Sequence, residues 1–128
     1  MRRRATDVRP RITLKESFSF AWQGVKNSAA QRNFRIQLCV AALCVIANII
    51  LQVSATEWCI ILGFCVLVLA AETFNTAIEA AVDLLSPEYD EHAKIAKDCA
   101  AGAVLILSIG ALIAGLIIYI TAFLKLVD

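Results

Sequence analysis

The sequence predicts an all-α membrane protein, with three transmembrane helices preceded by an N-terminal amphipathic surface helix, in a single domain. Three observations carry that expectation. Hydrophobic residues make up 60% of the 128 positions and the mean hydropathy is +0.75, well above the apolar share of a soluble domain. Three apolar runs approach or exceed the ~20 residues that cross ~30 Å of hydrocarbon. Nine of the twelve Lys and Arg residues lie in the first 35 positions, so a basic arm precedes an apolar body. The net charge of +1 gives no argument for nucleic acid, and no nucleic-acid partner is expected.

Residues 1–13 are charged, contain Pro10 and lack periodicity, which reads as a cytoplasmic arm. The positions after Met1-Arg2-Arg3-Arg4 stay polar through Glu16, so a cleavable signal peptide, which needs an apolar core there, is not expected. Over 14–30, Leu14, Phe18, Ala21, Trp22, Val25 and Ala29 recur at three- and four-residue steps, the period of an amphipathic helix. Lys15, Gln23 and Lys26 take its other side, and Trp22 suits the headgroup level. Such a helix either covers a site or simply anchors the chain.

The first span is expected over 36–53, interrupted by Gln37, Asn48 and Gln52. Ser54-Ala55-Thr56-Glu57 reads as a tight turn into a second helix over 57–85. Ser86-Pro87-Glu88-Tyr89-Asp90-Glu91 then combines a cap residue, a first-turn proline and acids suited to a helix N-terminus. A third helix is expected over 92–124, where Gly102, Gly110 and Gly115 permit close packing. The first turn has no Lys or Arg, whereas the second loop carries Lys94 and Lys97. The positive-inside rule therefore predicts a multi-pass protein of the cytoplasmic membrane with a cytoplasmic N-terminus. The five cysteines (Cys39, Cys44, Cys59, Cys65 and Cys99) form no CxxC pair and read as small apolar residues. His92 is the single histidine and reads as a solvated loop residue.

The second span carries the unusual chemistry. At ~100° per residue, Glu72, Glu79 and Asp83 fall within ~20° of one line, with Asn75 and Thr76 beside it. Glu72 is expected inside the hydrocarbon boundary, Glu79 near the headgroups and Asp83 in water. No intrahelical Lys or Arg is spaced to pair with Glu72, and three spans offer little interior, so neighbouring subunits are expected to help bury it. Intramembrane acids mark functional sites or glue helices together. As a site, Glu79 and Asp83 offer hard oxygen ligands for Mg²⁺, and Lys94 and Lys97 offer positive charge for phosphate. Glu72 lies ~10 Å deeper along the axis, where a desolvated carboxylate can accept a proton. These parts suit phosphoryl transfer from a magnesium nucleotide to an alcohol at the membrane surface. A small oligomeric ion or proton pathway would use the same residue types. No GxxxxGK[ST] loop and no protein-kinase signature occurs.

Glu72-Thr73-Phe74-Asn75-Thr76-Ala77-Ile78-Glu79 and Ala96-Lys97-Asp98-Cys99-Ala100-Ala101-Gly102-Ala103-Val104 resemble the paired E-x-x-N-x-x-x-E and A-K-D-x-x-x-x-A-V motifs of the prokaryotic diacylglycerol kinase and undecaprenol kinase family. The resemblance spans about residues 14–120. It implies a homotrimer with active sites shared between subunits, and transfer of the γ-phosphate of MgATP to a lipid alcohol. By the same resemblance Glu72 is the general base and Glu79 a metal ligand. Asn75, Lys97 and Asp98 surround the nucleotide and reacting groups, Arg35 and Ala101 support the active site, and Glu88-Tyr89-Asp90 forms a nucleotide-contacting loop. Three positions depart from the family pattern. Gln31 stands where a second metal-ligating Glu is usual, Gln37 where His is common, and Phe20 where an aromatic near the nucleotide is often Tyr. Gln31 remains a candidate metal and nucleotide contact through its carbonyl, and a non-catalytic protein marked by Gln31 is the third alternative. The Ser86-Pro87-Glu88-Tyr89 run and Ala100-Ala101-Gly102 are more similar to the undecaprenol branch, with diacylglycerol a close second.

Overall fold

A computed structural model describes residues 12–127, so the expected arm over 1–13 lies almost wholly outside the described residues. Four helices follow one another: α1 Leu14–Ala29, α2 Arg32–Ile50, α3 Ala55–Leu85 and α4 Glu91–Val127. There is no strand among the described residues. The last three are each long and apolar enough to cross a membrane. At 1.5 Å per residue, the 19 residues of α2 rise ~28 Å, about the hydrocarbon depth, whereas the 31 of α3 and 37 of α4 rise ~46 and ~55 Å. The surplus of α3 and α4 must therefore project from the bilayer.

Local chemistry sets each helix start. Thr13 caps α1 in a reciprocal box with Glu16, whose side chain accepts from the Thr13 backbone N–H at 2.8 Å. Ser54 and Glu57 form the same box at the start of α3, with Ser54 N–H donating to Glu57 at 2.7 Å. The first span departs from its expected bounds. It takes in Arg32 to Arg35 and stops at Ile50, because Gln52 adopts a left-handed φ of 49° that no helix continues through. Val53 is a buried turn residue rather than part of the helix. The cap of the third span also differs from expectation. Ser86 ends α3, its hydroxyl donating to the Glu88 carbonyl at 3.1 Å, and Asp90 caps α4 by accepting from Ala93 N–H at 2.9 Å. The short carboxylate of Asp90 reaches the first turn from outside, leaving Pro87-Glu88-Tyr89 as an open loop.

The α3–α4 pairing is the most extensive, α2 packs on α3, and α1 lies against α2 and α3. Gly110 belongs to the α3–α4 seam: a Cβ there would stand 3.2 Å from the Phe64 ring. At the end of the bundle formed by the α2–α3 turn, Val53, Ile61, Ile118 and Ala122 make an apolar core packed by Cys44, Leu51, Trp58, Cys65 and Tyr119. Beside it Asn48 is fully buried, its amide oxygen accepting from Tyr119 Oη at 2.9 Å. Many apolar residues of α2 and α4 remain exposed on the single chain, as lipid or protein contact in a membrane requires. All five cysteines are free.

Candidate functional site

The polar groups gather at the opposite end, where α2 begins, α3 ends and α4 begins. Burial falls steadily along the acidic stripe: Glu72 is 4% exposed, Asn75 6%, Glu79 half-buried and Asp83 exposed. One chain alone buries Glu72. Neighbouring subunits are expected from the sequence to help hide it, yet its burial is already nearly complete within one chain, where a partner stands on another helix. Gln37 of α2 donates through Nε2 to Glu72 Oε2 at 3.2 Å. One turn above Glu72, Asn75 Nδ2 donates to Glu79 Oε1 at 3.0 Å. Each carboxylate is therefore held by a carboxamide rather than by a cation. Both carboxamide oxygens, Gln37 Oε1 and Asn75 Oδ1, are buried without a hydrogen-bond partner. The Thr76 hydroxyl is spent on the Glu72 carbonyl at 3.0 Å.

Two clefts divide the predicted site residues. The inner one is lined by Gln31, Arg32, Asn33, Glu72, Asn75, Thr76 and Glu79 and has a volume of about 100 Å³. That is room for about three waters, comparable to a phosphate group. Its α2 wall is a helix N-terminus with no acidic residue in the first turn, a surface that favours anions. Gln31 is the N-cap of α2 yet makes no side-chain capping bond, leaving its carboxamide available to the cleft. The outer cleft, about 370 Å³, is lined by Asp83, Glu88, Tyr89, Asp90, Lys94, Lys97 and Asp98 among others, a size suited to a small molecule. Glu79 in the inner cleft and Asp83 in the outer are one helical turn apart on α3.

Neither lysine is free, contrary to the simplest expectation for phosphate-binding groups. Lys97 Nζ stands 2.9 Å from Asp83 across the α3–α4 seam, and Lys94 Nζ 2.6 Å from Asp98. Asp83 is therefore an ion-pair partner and not only a solvated helix end. Solvent-facing pairs of this kind contribute little, ~0–1 kcal/mol, so a phosphate can take over either lysine at small cost. Phe20, Arg35 and Ala101 lie outside both clefts, each exposed. Arg32, Asn33 and Gln37 are the site residues that sequence reasoning did not assign. For Gln37 a signal existed, since it is a polar interruption of an apolar span.

The donor set speaks to metal. No group of three His, Cys, Asp or Glu side chains converges among the described residues. Glu79 and Gln31 supply one carboxylate and one carbonyl in the inner cleft. That is too few for a cage, but it fits Mg²⁺, which is commonly held by one or two carboxylates together with substrate phosphates.

Three helices long and apolar enough to cross a bilayer, with a buried carboxylate opening on a small polar cleft at one end, define a small integral membrane protein. Comparison with known proteins gives the lineage. Residues 19–119 match the prokaryotic diacylglycerol kinase family model, and the chain belongs to that family of membrane lipid kinases. It is 42% identical over 117 residues to a diacylglycerol kinase of Synechocystis, covering 90% of this chain and 66% of that protein. An undecaprenol kinase of Bacillus subtilis is 36% identical over 106 residues, covering 82% of this chain and 86% of that one. A diacylglycerol kinase of Escherichia coli is 36% identical over 98 residues, 73% of this chain and 78% of its own. The three apolar helices and this membership make the protein an integral component of the bacterial inner membrane.

Proposed function

We propose that this chain phosphorylates a membrane lipid alcohol from MgATP at the cytoplasmic face, working as a homotrimer. Undecaprenol is the expected acceptor, with diacylglycerol second. The observation that carries the reading is the pairing of two carboxylates on one stripe of α3, one buried and one near water. Glu72 is buried and held by a neutral carboxamide, while Glu79, seven residues along, shares the inner cleft with the N-terminus of α2.

In this reading Glu72 accepts the proton of the lipid hydroxyl. The hydroxyl O–H bond breaks as the oxygen bonds to the γ-phosphorus, the bond between the γ-phosphorus and the β–γ bridging oxygen breaks, and ADP leaves. Glu79 and Gln31 would hold magnesium together with the nucleotide phosphates. Bound there, magnesium supplies charge neutralisation on the β- and γ-oxygens. The N-terminus of α2 adds backbone N–H donors for the terminal phosphate, and Asn75 orients Glu79. The nucleotide body takes the outer cleft, against Glu88, Tyr89 and Asp90, with Lys97 and Asp98 at its edge and Lys97 exchanging Asp83 for phosphate. Phe20, Arg35 and Ala101, outside both clefts of the single chain, are proposed to act next to a neighbouring subunit.

The test is to supply purified protein in lipid bilayers with MgATP and each lipid alcohol in turn. Transfer of label to undecaprenol faster than to diacylglycerol, and dependent on Mg²⁺, is the expected result. Labelling of neither lipid, with proton flux in sealed liposomes, would replace the kinase by the ion-pathway reading.

A further inference from the structure

Gln37 stands where the family commonly has His, and its environment is unusual. Its Nε2 donates to Glu72 at 3.2 Å while its own Oε1 is buried with no partner. A buried acceptor left unsatisfied costs about 1–3 kcal/mol, so such an atom asks for an explanation. Gln37 lines a third cavity, an apolar groove between α2, α3 and α4 that includes Val40, Phe64, Leu112 and Tyr119, while its hydrogen-bond partner Glu72 lines the inner cleft. It therefore stands where the polar cleft meets the apolar interior.

We infer that Gln37 is a positioning residue that holds Glu72 in one orientation both before and after proton transfer. This rests on Glu72 being the proton acceptor. A carboxylate only accepts hydrogen bonds, whereas a carboxylic acid also donates one. A carboxamide is a neutral side chain that matches both states, because it carries a donor and an acceptor on one planar group. Before transfer, the Nε2 N–H faces the carboxylate, the arrangement observed. After transfer, half a turn about the terminal torsion brings Oε1 to the new Glu72 O–H, and the unpartnered acceptor is filled. The proton lost by the lipid hydroxyl is then the one shared by Glu72 and Gln37, and no charge accumulates at the apolar boundary. A lysine would favour only the ionised state and a leucine neither. The other charged groups lining the inner cleft with Glu72 are Arg32 from α2 and Glu79 from α3, while α1 and α4 contribute none to it. Gln37 is the only hydrogen-bond partner of the Glu72 side chain among the described residues.

Two measurements test this separately from the kinase reading. The first is a double-mutant cycle of thermal unfolding in detergent with Gln37→Met, Glu72→Met and the double variant, each removing the Nε2–Oε2 bond, which needs no activity. Non-additive melting shifts are expected, and strict additivity would overturn the pairing. The second is steady-state kinetics. Gln37→Met should lower kcat about 10- to 100-fold, since an oriented general base is worth more than that in total, with KM for MgATP unchanged. Gln37→His keeps one N–H donor and one ring-nitrogen acceptor and should recover most of the loss. Equal loss in both variants, or wild-type kcat in Gln37→Met, would overturn the proposal. If the wild-type protein phosphorylates no lipid while the cycle still shows coupling, the kinase reading and the proton role fall but the pairing stands.

Discussion

Glu79 and Gln31 sit in one small cleft but bring a single negative charge between them. Adding a second carboxylate is the direct probe of that deficit. Gln31→Glu should lower the Mg²⁺ concentration giving half-maximal activity by about tenfold, because ligand charge count tunes affinity at oxygen sites. An unchanged Mg²⁺ titration would show that another group already fills the role. Far from the site, Tyr119 Oη donates to the fully buried Asn48, whose Nδ2 has no partner. Tyr119→Phe strands that carboxamide altogether and should cost about 1–2 kcal/mol in thermal or denaturant unfolding. Adding Asn48→Leu should return most of it, since two apolar partners need no hydrogen bond. These residues also show what the sequence could not convey. Gln37 and Asn48 were visible as polar interruptions of the first span, yet their partners Glu72 and Tyr119 lie 35 and 71 residues away. The same holds for Lys97, whose pairing with Asp83 depends on how α4 docks against α3. Periodicity identifies which residues share one helix face. It does not identify what stands opposite.

The helices themselves were legible, because apolar runs and acidic spacing are local properties of the chain. Their ends were less so. The left-handed Gln52 and the Asp90 cap are decisions made by turn geometry, which hydropathy does not encode. Gln52→Gly should remove the Cβ conflict at φ 49° and raise stability by about 0.5–1 kcal/mol, read as a higher Tm in detergent. A lower Tm would mean that the Gln52 side chain contributes more than its backbone costs. At α1, hydrogen bonds from the Thr13 backbone N–H, then from its hydroxyl, hold the Glu16 carboxyl below the usual carboxylate range. A lowered folded-state value makes this box stabilising above the unfolded carboxylate pKa, with the contribution lost as pH falls through the folded one. Acidification should therefore fray the first turn of α1. Amide exchange at Glu16 and Ser17 would report it, and Thr13→Ala should show the same fast exchange already at neutral pH.

At the scale of the molecule, α3 and α4 outrun α2, and the polar clefts lie at the end of the bundle where α2 and α4 begin. The apolar core and the Asn48–Tyr119 pair brace the other end. Gly110 sits on the seam that joins the two long helices, so Gly110→Val should push on Phe64 and cost about 1–3 kcal/mol by overpacking. Activity at low temperature should outlast the loss in Tm, because neither Gly110 nor Phe64 lines either polar cleft. The buried carboxylate of α3 is the centre on which the proposed chemistry depends, and Glu72→Gln is its most direct test. This change keeps the shape and removes the proton-accepting charge. Labelling of lipid alcohol from MgATP should fall by at least about 10²-fold, with nucleotide binding and oligomeric state unchanged. Wild-type turnover in that variant would contradict the assignment of Glu72 as the base.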